Sequence, residues 1–190
     1  MSTHEFDDFG QQIADAAEAF LLGLQEISRA EAGSGVPLLL LEVSQLLLAG
    51  SRLGAQQDFQ PETEYQPDVG PDTDLDAMRL RLAIRLGGAD TYSHNFEPYE
   101  SETLTSNLSD DLTSIATDIA NGLRHFRAGN VEEALWWWQY SYLASWGSLA
   151  IGVLAALHSI VSHDRLDLDV IDESDQLEAA EAVLDAQPGG

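Results

Sequence analysis

EALWWWQYSYLASWGSLAIGVLAALHSIVS, residues Glu133–Ser162, carries no charge after its first residue and holds all four tryptophans, Trp136, Trp137, Trp138 and Trp146. It lies in a chain of 190 residues with a formal net charge of −25. An uncharged aromatic run in so acidic a chain must be covered by packing, a partner or a membrane. On a helix, successive residues point about 100° apart, so Trp136, Trp137 and Trp138 cannot share one face. Trp138, Tyr142 and Trp146 form a stripe continuing through Leu149, Val153 and Leu157, the expected core seam. Trp136 with Tyr140, or Trp137 with Ser141 and Ala144, then faces another layer, a second subunit or a groove. Ala144, Gly147, Ala150 and Gly152 leave room for a neighbouring helix.

Working outward, the same 3.6-residue periodicity predicts four more helices. Upstream, Leu104, Leu108, Leu112, Ile115, Ile119, Leu123 and Phe126 form a ladder over about Glu102–Arg127. Gly129 terminates it, and Asn130 with Glu133 has capping-box spacing for the next helix, so the two should form an antiparallel hairpin. Ser2–Ala30 reads as a first helix, with Ser2 and Glu5 as a capping pair and Gly33-Ser34-Gly35 after it. About Pro37–Leu53 is apolar nearly all round, so a central, sandwiched second helix is expected. A third, about Asp72–Leu86, carries Arg79, Arg81 and Arg85. Arg81 and Arg85 share a side, as an anion pocket needs, but the surplus of acids favours ion pairing.

Residues 54–74 hold Pro61, Pro67, Gly70 and Pro71 and six acids, among them Glu62 and Glu64, with no basic residue. A loop of that length is a lid-like excursion or a solvated tether. Gly87–Glu100, containing Tyr92, His94, Phe96, Glu97, Pro98 and Tyr99, reads as an aromatic connector. Residues 164–190 form an acidic tail contributing −8 to the charge, loosely docked or disordered, in which Gln176–Ala186 could make a short helix. The expected fold class is therefore all-α: an up-down helical bundle of about five main helices over residues 1–163, one domain, with the long acidic 54–74 loop and the acidic C-terminal tail.

Composition narrows function. There is no cysteine, which excludes disulfides, thiolate metal sites and cysteine nucleophiles. The start Met1-Ser2-Thr3-His4-Glu5 lacks the pattern of a secretory signal, so a cytoplasmic location is expected. All eight basic residues are arginines against 33 acids, a balance that repels phosphate backbones and anionic membranes and suits a basic protein partner. Ala134–Ser162 is long enough to span a bilayer, but Gln139, its serines, His158 and acidic flanks argue against a membrane role.

Chemistry-bearing constellations are sparse. Asp111, Asp118 and His125 recur every seven residues, about 10.5 Å apart along a helix, too far for one ion, and read as a solvated stripe. His163-Asp164, with His125 upstream and Asp169 or Asp172 downstream, follows the ligand order of helical phosphohydrolases on two residues alone. Glu42, among leucines, is a candidate desolvated acid or base, or else a carboxylate hydrogen-bonded to Gln45 or an arginine. No phosphate-cradling glycine loop, nucleophile elbow or dinucleotide fingerprint occurs. No metal and no cofactor is expected.

Leu41-Glu42-Val43-Ser44-Gln45-Leu46-Leu47-Leu48-Ala49-Gly50, Leu108-Ser109-Asp110-Asp111-Leu112, Ala134-Leu135-Trp136-Trp137-Trp138-Gln139-Tyr140-Ser141 and Trp146-Gly147 resemble an uncharacterised bacterial all-helical family of unknown function, over about residues 5–165. The family pattern has a histidine before Trp-Gly; Ser145 stands there, which weakens a catalytic role for the motif. The resemblance implies helical architecture and no activity.

The leading expectation is a soluble, non-catalytic interaction module with a protein partner, basic or a second copy as a homodimer, and no direct nucleic-acid binding. Its candidate pocket or interface residues are Glu42, Gln45, Tyr92, Tyr99, Trp136, Trp137, Tyr140 and His158. The alternative is a small-molecule- or metal-binding enzyme with an interhelical pocket near Glu42. A weaker alternative is an acidic nucleic-acid mimic occupying a basic DNA-handling protein.

Overall fold

The computed structural model describes the backbone of residues 3–30, 35–61, 66–95, 99 and 101–185, and the side chains within those ranges from 6 to 166. The Ser2–Glu5 cap, Gly33-Ser34, Glu62, Glu64, Phe96, Glu97, Pro98 and the tail side chains from residue 167 on lie outside the described residues. Six helices follow in order: α1 Thr3–Arg29, α2 Gly35–Gly54, α3 Asp76–Leu86, α4 Leu108–Arg127, α5 Val131–Ser141 and α6 Gly147–Asp185. A π-helical segment, Tyr142–Trp146, joins α5 to α6, so the fifth helix expected from sequence is one rod with a wide turn in it. Over the eight residues from Trp138 to Trp146 an ideal α-helix drifts about 80°. The wide turn takes up that drift, and both indoles end fully inside the core.

The core is continuous. Phe20 and Leu24 of α1, Leu39 and Val43 of α2, Leu82 of α3, Leu112 and Ile115 of α4, and Val153 and Leu157 of α6 are all buried in it. The α4–α5 hairpin is as expected: Gly129 adopts φ 85°, and its N–H and that of Asn130 donate to Phe126 O and His125 O, closing the helix end. Asn130 makes no side-chain cap, however, and Glu133 is buried beside His125 instead.

Two expectations are corrected. First, α3 begins at Asp76 and α4 at Leu108, and the aromatic connector contains an antiparallel hairpin, β1 Thr91–His94 with β2 Leu104–Asn107. Leu104 fits the helical ladder by spacing but is 41% exposed. The chain turns into α4 at Asp90, which accepts from Ser109 N–H and Ser109 Oγ, both at 2.8 Å, while Asp90 O accepts from Leu108 N–H. This cap reaches α4 from 19 residues upstream. Asp90→Ala should cost about 1–2 kcal/mol, measured by urea unfolding; an unchanged midpoint would disprove the cap.

Second, α2 is not sandwiched. Leu39, Val43, Leu46 and Leu53 are buried, yet Leu38, Leu41 and Leu48 are about half exposed or more. The acidic loop is anchored near both ends. Phe59 packs between Phe6 and Phe9, and its N–H donates to Gln139 Oε1 at 3.0 Å. Arg124 holds Gly70 O, Pro71 O and Asp72. The helix of the C-terminal region is also continuous with α6 through Asp185, so no helix end marks position 163.

Two helical segments, Gly35–Gly54 and Val131–Leu166, are long and apolar enough to cross a membrane by length and composition. Both contribute to the core described above.

Candidate functional site

Consecutive tryptophans of α5 do three different things. Trp138 is wholly buried and donates from Nε1 to Ile119 O at 3.1 Å. It lies flat on α4 because residue 122 is glycine: a Cβ there would sit 2.2 Å from the indole nitrogen. Trp137, half-buried, donates to the preceding carbonyl, Asp118 O, at 2.9 Å. Trp136, half-buried like Trp137, stacks on Tyr140 with centroids 5.4 Å apart and rings 8° from parallel. Tyr140 is 55% exposed and Leu143, one turn on, 62%. Glu132, Trp136 and Tyr140, spaced by four, thus run as an acid followed by a stacked aromatic ledge.

Behind the ledge, Ser145 Oγ donates to Asp118 Oδ2 at 3.0 Å. Burial raises the Asp118 carboxyl above its ordinary value, partly offset by that bond. The heptad stripe on α4 is therefore not solvated, contrary to expectation. Asp111, buried, accepts from Tyr92 Oη and Ser106 Oγ, both at 2.7 Å on Oδ2. His125 is buried too, and desolvation lowers its pKa, with Glu133 opposing and Arg124 adding to the shift. Each polar member of the stripe meets a different neighbour, and among the described residues no group of three or more His, Asp or Glu could hold a metal ion.

The remaining candidates do not converge. Tyr92 is held above the ordinary tyrosine range, chiefly by burial and then by Asp111. With His94, whose ring is 4.8 Å away, it lines a cavity of about 390 Å³ against Gly152 and Ser159 of α6. Gly152 thus admits the hairpin, where the sequence suggested a helix: a Cβ would lie 3.1 Å from His94 Nδ1 and 3.2 Å from Tyr92 Oη. His158 points outward beside that cavity without lining it. Tyr99 is 96% exposed, and Gln45 is exposed on α2.

Glu42 is half-buried against Gly23 of α1, where a Cβ would approach its Cδ to 2.7 Å. Neither it nor Gln45 lines the cavity under the hairpin or the one between α2 and α3. Desolvation raises the Glu42 pKa. A carboxylate whose folded pKa lies above its unfolded one destabilises the fold as pH rises through the folded value. Glu42→Gln should therefore raise the melting temperature at pH 7.5, with a smaller gain at pH 5. Equal melting curves for both proteins at both pH values would contradict this.

The ledge was half legible: helical phase separates Trp136 and Tyr140 from the seam, but which neighbour each indole meets depends on α4. Asp90 and Ser106 leave no signal in the sequence, and Asp111 reads there as part of a solvated stripe, since a cap and a hydroxyl network assembled by a hairpin leave no periodic trace.

Among solved structures, this chain is similar to protein BF1032 from Bacteroides fragilis, a structural genomics target, with a TM-score of 0.67 and 22% identity over 82% of this chain and 93% of that one. That likeness shows the fold. No curated protein matches the sequence. The family described as "Domain of unknown function (DUF5063)" matches residues 4–163, in agreement with the resemblance carried by the motifs around Glu42, Asp111, Trp136 and Trp146. The helical bundle, with its aromatic α5 and the turn at Trp146, thus belongs to the DUF5063 family.

Proposed function

We propose that this protein is a soluble, non-catalytic interaction module of the cytoplasm whose α5 ledge and acidic surface engage a basic protein partner. The observation that supports the reading is the Trp136–Tyr140 stack, held parallel with Tyr140 exposed and Trp136 half-buried, while Trp137 and Trp138 donate to carbonyls of α4. Rigid aromatic faces supply contact area at low entropic cost, and an indole face attracts arginine and lysine. The net charge of −25 adds long-range attraction for such side chains and quickens encounter.

The test is affinity capture from host lysate by the native chain and by a Trp136→Ala, Tyr140→Ala variant at low and high salt. A basic protein retained by the native chain, lost from the variant and weakened by salt would support the reading. Identical proteins recovered by both would refute it. If the captured proteins are DNA-handling enzymes displaced by DNA, the nucleic-acid-mimic reading gains instead.

Self-association is a second reading, supported by the leucines of α2 at positions 38, 41 and 48, which leave an apolar stripe interrupted by Gln45. Sedimentation equilibrium should then show a dimer that Leu41→Glu, Leu48→Glu dissociates. A native chain monomeric at about 100 μM, far above the usual range of specific dimers, would dispose of it.

A further inference from the structure

Asp118 sits half-buried in the groove between α4 and the π-helical segment, where Ser145 Oγ donates to its Oδ2 at 3.0 Å. Ser44, Ser51, Thr113, Thr117 and Ser141 each bond back to the carbonyl four residues earlier in their own helix, as helical hydroxyls commonly do. Ser145 instead crosses to α4 from within the wide turn, and turns of that kind are frequent at functional sites. Trp137 lies beside the same residue, its Nε1 donating to Asp118 O. Its ring is 6.3 Å from that of Trp136, where the aromatic ledge begins.

Desolvating a carboxylate is unfavourable unless a cation or several donors face it. Asp111, buried on the same side of α4, has two hydroxyls on one oxygen, and Glu133 has His125 beside it. Among the described residues Asp118 has no ion pair and no hydrogen bond on Oδ1. Arg79, Arg124 and Arg127 are paired instead with Asp110, Asp72 and Glu18, whose side chains are 49%, 80% and 50% exposed. The groove is open to solvent, since Ser145 and Ser114, one turn before Asp118, are exposed. A cation entering it meets a carboxylate that has lost part of its hydration and keeps acceptor capacity, because a carboxylate can take about four hydrogen bonds.

We propose that this groove receives an arginine side chain of the partner protein, its guanidinium forked onto Asp118 and its plane against the aromatic wall of Trp137 and the Trp136–Tyr140 stack. The inference rests on the reading of α5 as an interaction surface and assigns the residue that the partner brings to it. Arginine is selected over lysine because its planar fork matches a carboxylate and stacks on aromatic faces, whereas an ammonium is a compact point charge. The guanidinium is also the more weakly hydrated of the two, so it enters a half-dry groove more readily. The net charge of −25 concentrates any cation near the surface, and the arrangement at Asp118 distinguishes one cation from another.

The test titrates acetyl-glycyl-arginyl-glycinamide, and the same peptide with lysine or citrulline in place of arginine, into the ¹⁵N-labelled full chain at constant ionic strength, following indole and backbone N–H resonances. The arginine peptide should give saturable shifts at the indoles of Trp136 and Trp137 and at the Ser145 amide. Lysine should bind about threefold more weakly or worse, and citrulline, which lacks the charge, about tenfold or worse. Asp118→Asn, which removes the charge without changing shape, should weaken the arginine peptide by about tenfold or more. Asp110→Asn, an exposed change on the same helix with the same effect on net charge, should leave binding within about twofold of native. No saturable shift, equal response to arginine and lysine, unchanged binding by Asp118→Asn, or equal weakening by Asp110→Asn would overturn the proposal. Lysate capture separates it from the reading it rests on. A partner lost with Trp136→Ala, Tyr140→Ala but kept by Asp118→Asn would overturn the arginine site and leave the ledge standing, and a partner lost with either would support both.

Discussion

A Gly122→Ala variant is expected to be about 3 kcal/mol less stable than the native chain, near the upper end of the cost of overpacking a core. The added methyl would lie 2.2 Å from Trp138 Nε1 and 2.5 Å from two further ring atoms. Trp138 cannot swing away: it is fully buried, hydrogen-bonded to Ile119 O, and packed against Phe126 at 6.2 Å between centroids. Separating α4 from α5 is the remaining response, and it would expose the seam. Gly88→Ala supplies the control, because nothing lies within 4 Å of a Cβ there, and it should change stability by less than about 0.5 kcal/mol. A second check is coupling. Trp138→Leu alone should be costly, but combined with Gly122→Ala its cost should fall well below the sum, since the smaller side chain makes room for the methyl. Chemical denaturation of the native chain and the four variants measures all of this; additive costs would show that the indole does not rest on Gly122.

Asp111→Ala should cost about 3 kcal/mol, since two hydroxyls lose one charged acceptor in a largely dry site. Tyr92 Oη and Ser106 Oγ both bond to Asp111 Oδ2, one from each strand of the hairpin, so this carboxylate fastens β1 and β2 to the first turns of α4. A two-stranded hairpin is marginal by itself. Hydrogen exchange should therefore show protection lost first at Thr91–His94 and Leu104–Asn107, with the α4–α5 hairpin retained. Asp111→Asn, which keeps an acceptor oxygen, should recover part of the stability. A loss spread evenly over the whole protein, or stability within about 0.5 kcal/mol of native, would show that the network does not fasten the hairpin.

Helical phase alone announced most of the bundle. Apolar residues three or four apart locate α1, α2 and α4, and Gly129 marks the turn into α5, because these signals depend only on neighbours within one or two turns. The same phase argument separated Trp138 and Trp146 from Trp136 before any tertiary contact was considered. It failed at Leu104, whose spacing continues the α4 ladder although its backbone is extended: the strand exists only because β1 lies beside it and Asp111 accepts from both. It failed too at α2, where leucines all round the helix suggested burial on every side, yet the number of helices available to cover them is a property of the assembled bundle.

Charge reads the same way. Composition established a chain so acidic that its few arginines should be absorbed by neighbouring carboxylates, and for Arg79, Arg124 and Arg127 they are. That Arg85 rests against the first turn of α2 and donates to Ala30 O follows from how α3 crosses the α1–α2 corner. Sequence alone determined which segments become helices and which faces are apolar, since both depend on interactions between residues near in the chain. Tertiary structure decided which neighbour each indole meets and which carboxylate is dry, since burial and electrostatic environment come from residues about 20 to 80 positions apart that only folding brings together.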